Sequence, residues 1–68
     1  MNTLKDVRER MLTLVGQPQM LGFINARLVL RTGITLDQTG PVPPQDVARV
    51  VAALKDMGFA VDAERGRA

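Results

Sequence analysis

QPQMLGFINARLVLRTGITL, residues 17–36, is the stretch whose reading decides how this chain folds. It holds no acidic residue and two arginines, Arg27 and Arg31, and from Met20 to Leu30 nearly every position is apolar. A segment so oily must be buried against something. The chain has 68 residues, and a domain of that size buries only about 60% of the surface its unfolded form exposes. Its own body offers little cover, so a second copy or a partner protein is the expected one.

Read as a helix, the segment opens at Pro18, whose missing N–H would have had no partner in a first turn, and stops before Gly33. Leu21, Ile24 and Leu28 then stack on one side, while Met20, Phe23 and Leu30 point to others. Asn25 is a polar interruption, and Arg27 with Arg31 forms a basic ridge. A helix that is oily almost all round belongs at the centre of a structure. Read as a strand, Arg27-Leu28-Val29-Leu30-Arg31 alternates strictly, and β-favouring residues continue on both sides of Gly33. Period alone does not arbitrate for a short apolar run. The helix to Arg31 is preferred because Gly33 then acts as its terminator, with Ile34 and Leu36 pinning the following loop to the core.

Upstream, Leu4, Val7, Met11 and Leu14 recur at alternating steps of three and four, the mark of a helix with one apolar face. Asn2 or Thr3 can cap its start and Gly16 its end. Downstream, residues 37–44 (DQTGPVPP) are dense in turn formers and make the clear loop. A third apolar stripe follows in Val47, Val50, Val51 and Leu54, flanked by alanines that favour helix and allow close approach. Asp46 in its first turn and Lys55 in its last both complement the helix dipole. Gly58 ends it, and Phe59 is placed to fold back onto Leu54 in a Schellman stop.

The expected architecture is all-α, a compact domain of three helices over residues 3–15, 18–31 and 44–57. One domain covers residues 1–62, and the polar tail 63–68 frays. The alternative is an α+β fold that keeps the outer helices and turns residues 27–36 and 59–62 into a small sheet.

Composition excludes more than it selects. Cys, His, Ser, Tyr and Trp are all absent. No disulfide or thiolate zinc site can form, and a metal would have to be held by scattered carboxylates. Serine and cysteine nucleophiles, imidazole acid–base catalysis and tyrosine acids are missing too, so a non-enzymatic role without cofactor or metal is expected. With disulfide and metal gone, oligomerisation is the remaining support for so small a scaffold. The residues before Val15 carry charges where a signal peptide would need an apolar run, and no stretch is long enough to span a bilayer. A cytoplasmic protein is expected. The oily segment also has too few charges and too many apolar faces for a membrane-surface helix.

Two readings of function follow. The preferred one is a protein–protein interaction module, expected to be a homodimer, held by Leu21, Phe23, Ile24, Asn25 and Leu28, since large apolar anchors supply most interface energy. Asn25 could pair with itself at a two-fold axis and so fix register; equally, a backbone group or water of the same chain could satisfy it. Met11, Met20 and Met57 could form an adaptable docking groove or simply fill gaps in the core. The alternative is a small nucleic-acid-binding regulator. The net charge is +2, with Arg in excess over Lys, and Arg27, Arg31, Arg8 and Arg10 could contact phosphates. Against it, Arg8 and Arg10 each have an acid within four residues, and Phe23 and Phe59 both read as core rather than as base-stacking platforms.

Overall fold

The apolar repeat beginning at Leu4 forms α1, Leu4–Val15, in a computed structural model that describes residues 3–61. Thr3 caps it, its side chain accepting a hydrogen bond from the Asp6 N–H at 3.2 Å. At the other end Gly16 takes a left-handed conformation, φ 76°, and donates its N–H to the Leu12 carbonyl at 2.8 Å. A residue with a Cβ would be strained there.

The central segment is a helix, α2, Met20–Thr32. It begins two residues later than Pro18 because the chain first makes a tight turn, in which the N–H groups of Met20, Leu21 and Gly22 donate to carbonyls three residues back. Gly33 stops it at φ 75°, donating to the Val29 carbonyl. The strand reading fails here: residues 27–32 lie inside α2, residues 34–36 run as loop, and there is no strand among the described residues. The physical reason is that Gly33 completes the helix with a left-handed cap, where a strand would require it to be extended. Asp62 of the alternative sheet, and the tail 63–68, lie outside the described residues.

The third helix, α3, spans Pro44–Asp56. Its end carries the expected stop: the Phe59 N–H donates to the Leu54 carbonyl at 3.0 Å and the Gly58 N–H to the Lys55 carbonyl at 3.0 Å, the paired hydrogen bonds of a Schellman motif.

One core joins all three helices. Val7 and Met11 from α1, Leu28 from α2, Val50 and Leu54 from α3, and Val61 beyond α3 are fully buried, and Ile34 and Leu36 anchor the long connection between α2 and α3. That connection is further held by Thr32, whose Oγ1 donates to the Leu28 carbonyl at 3.0 Å and accepts from the Ile34 N–H at 3.1 Å. From α3, Arg49 Nη2 donates to the Thr32 carbonyl at 3.2 Å, satisfying an end of α2 that lacks its own partner.

Candidate functional site

The inner side of α2 is covered by its own chain. Leu21, Ile24 and Leu28, three residues expected at an interface with another molecule, belong to the core with α1, α3 and the loop residues Ile34 and Leu36. This corrects the expectation that so short a chain cannot shield them: the loop and Val61 supply cover that helix periodicity does not count.

Asn25, the fourth such residue, is buried on the same side and both ends of its amide are used. Its Oδ1 accepts from the Leu36 N–H at 2.9 Å and its Nδ2 donates to Asp37 Oδ2 at 2.9 Å. No side-chain polar atom buried among the described residues lacks a partner. Asn25 is therefore a clasp within the chain, the reading in which groups of the same molecule satisfy its amide.

The fifth, Phe23, points the other way and is 71% exposed. Seven residues on, two helical turns away and so on the same line of the helix, Leu30 is 87% exposed. Met20 and Val29, each 40% exposed, widen this apolar face. Between them lie exposed Ala26 and exposed Gly22, and a Cβ built on Gly22 would meet nothing within 4 Å. The outer face of α2 thus combines large apolar side chains with a low ridge where another backbone could come close.

Arg27 and Arg31 stand along one flank of that face. Among the described residues neither makes an ion pair or a hydrogen bond. Below them a groove of about 310 Å³ opens between α2 and the end of α3, lined by Met20, Phe23, Ile24, Arg27, Arg31, Met57 and Phe59. Met20 and Met57 both line it, while Met11 is sealed in the core. In the sequence Phe59 shows only its structural part, in the stop of α3. Its place in the groove leaves no signal there, because it depends on how α2 crosses α3.

Arg8 and Arg10 do not join this flank, while Arg49 lines a shallow pocket with Arg31 and Asp56 on the side of α2 that faces α3. Arg8 donates from Nε to Asp37 Oδ1 at 3.3 Å and lines a separate cleft of about 750 Å³ between the start of α1 and residues 36–42. Arg10, half-buried on α1, is engaged as well. Arg49 donates to Asp46 Oδ1 at 3.4 Å and to the Thr32 carbonyl. Arg27 and Arg31 are thus brought together, and Arg8 and Arg10 are not added to them. No helix among the described residues is long and apolar enough to cross a membrane. Compared with protein-family models, curated proteins and solved structures, the chain matches none.

Proposed function

We propose that the protein is a non-enzymatic interaction module that self-associates through the outer face of α2. The observation that carries this reading is the contrast between Leu28, which is 0% exposed, and Leu30, which is 87% exposed, two residues apart on one helix. The inner face has its core, and the outer face is apolar with no cover among the described residues. Contiguous exposed apolar surface marks an interaction site more often than scattered single residues do. In a two-fold contact one patch serves both copies, so Phe23 and Leu30 would each act twice, with Gly22 and Ala26 letting the helices approach. The anchors move from the sequence-expected set to Phe23 and its outer neighbours, because Leu21, Ile24, Asn25 and Leu28 are already committed to the core.

Light scattering over a concentration series tests it. The wild type is expected to exceed the mass of one chain, and Leu30→Glu is expected to return to it with an unchanged circular dichroism spectrum. A wild type that stays at single-chain mass into the millimolar range would rule out self-association.

A further inference from the structure

We infer that the groove between α2 and the end of α3 is a docking site for a segment of a partner protein that carries apolar side chains next to carboxylates. Its floor is Ile24, buried, with Met57 and Phe59 half-buried. Its rim is Arg27 and Arg31, both exposed, four residues apart and so about 6 Å apart along the helix axis. The floor asks for apolar side chains, and two methionines, Met20 and Met57, let it adapt to their shape. The rim asks for anions.

Charge decides the occupant. Residues 17–36 contain no acid, so α2 cannot neutralise its own arginines, and among the described residues no carboxylate pairs with them. Seated in this groove, the α2 helix of a second copy would set two further arginines and no carboxylate directly against Arg27 and Arg31, and like charges so opposed cost affinity. In the outer-face contact through Leu30, Gly22 and Ala26 the arginines stand at the flank instead. An acidic segment does the reverse: each guanidinium can grip a carboxylate through two parallel hydrogen bonds. Carboxylates one helical turn apart match the spacing of Arg27 and Arg31, with an apolar residue between them reaching Phe59. Phosphates of a nucleic acid would also suit the arginines, yet the groove floor is apolar and offers base edges little to pair with. The inference rests on the interaction-module reading only in sharing Phe23; Leu30 lies outside the groove.

A phage-displayed random peptide library selected against the full chain tests this, followed by anisotropy titrations of the enriched peptides. Enriched peptides are expected to combine Leu, Met or an aromatic residue with at least two Asp or Glu within one turn. R27E/R31E should weaken them about 100-fold, roughly tenfold for each guanidinium–carboxylate pair removed, while Q45E, exposed at the opposite end of α3 from the groove, changes binding less than about twofold. Circular dichroism checks that each variant is folded, and Arg27→Gln and Arg31→Gln keep the test readable if charge reversal disturbs the helix. The inference is overturned if no peptide is enriched, if the enriched peptides are not acidic, or if R27E/R31E binds them as the wild type does. It is also overturned if a 20-mer single-stranded oligonucleotide or phosphatidylserine vesicles bind the groove more tightly than the peptides. Peptide binding that survives in a chain shown to be monomeric would leave this site standing while removing self-association. A chain that self-associates by light scattering but binds the peptides equally well with R27E/R31E in place would do the opposite.

Discussion

The side-chain amide of Asn25 donates to the carboxylate of Asp37 at 2.9 Å, from a buried position on α2 to an exposed one on the loop. The other carboxylate oxygen of Asp37 accepts from Arg8 on α1, and the Asn25 carbonyl oxygen holds the Leu36 N–H. Two helices and the connection between α2 and α3 are thereby tied by one short polar chain. It also explains how a polar residue is tolerated in the most apolar helix of the molecule, since a buried amide is costly only when its partners are missing.

Removing the clasp should cost stability in a graded way. Asn25→Ala strands the buried Leu36 N–H and is expected to destabilise by about 1–3 kcal/mol. Asp37→Ala should cost less, because its side chain is 63% exposed and water can replace it. Arg8→Ala removes only a surface ion pair, worth about 0–1 kcal/mol. Urea denaturation of the three variants checks the order; equal losses would show that Asn25 is not the member that matters.

The two faces of α2 should respond differently to truncation. Leu28→Ala opens a cavity in the core and is expected to cost about 2–5 kcal/mol. Leu30→Ala removes exposed surface and should shift the stability of the dilute chain by less than about 0.5 kcal/mol. Thermal melts at low concentration read both. A Leu30→Ala loss as large as that of Leu28→Ala would mean that the outer face is packed within the same molecule.

Two glycines make a similar contrast. Gly33 holds φ 75°, so Gly33→Ala should destabilise by roughly 1–2 kcal/mol through the left-handed conformation it forces on a Cβ. Gly22 lies within α2 with open space around its Cβ position, so Gly22→Ala should stabilise the isolated chain by about 0.5–1 kcal/mol. If the outer face pairs closely with another helix, the same Gly22→Ala change should weaken that pairing. Melting temperature at low concentration and mass at high concentration separate the two effects.

Helix stops are the most legible part of the sequence. Gly16, Gly33 and Gly58 adopt the positive φ that other residues avoid, which makes them readable without knowledge of the fold. The alignment of Leu21, Ile24 and Leu28 on one side of α2 is equally plain from their spacing. What covers that side is not, since Val7, Leu36, Leu54 and Val61 come together only in three dimensions. Asn25 is ambiguous in sequence for the same reason: its partner Asp37 is twelve residues away on a loop, and a hydrogen bond across such a separation leaves no periodic trace. The groove is half visible, with Arg27 and Arg31 evident as a ridge and Phe59 hidden until the crossing of α2 and α3 is known.

The most direct measurement of the outer face of α2 is a ¹⁵N-correlation spectrum recorded across a concentration series. Amide shifts are expected to move with concentration at Gly22, Phe23, Ala26 and Leu30 and to stay fixed at Lys5 and Glu9 on the exposed side of α1. Shifts independent of concentration, or a moving set centred on α1, would contradict the assignment of that face as the surface through which the chain associates.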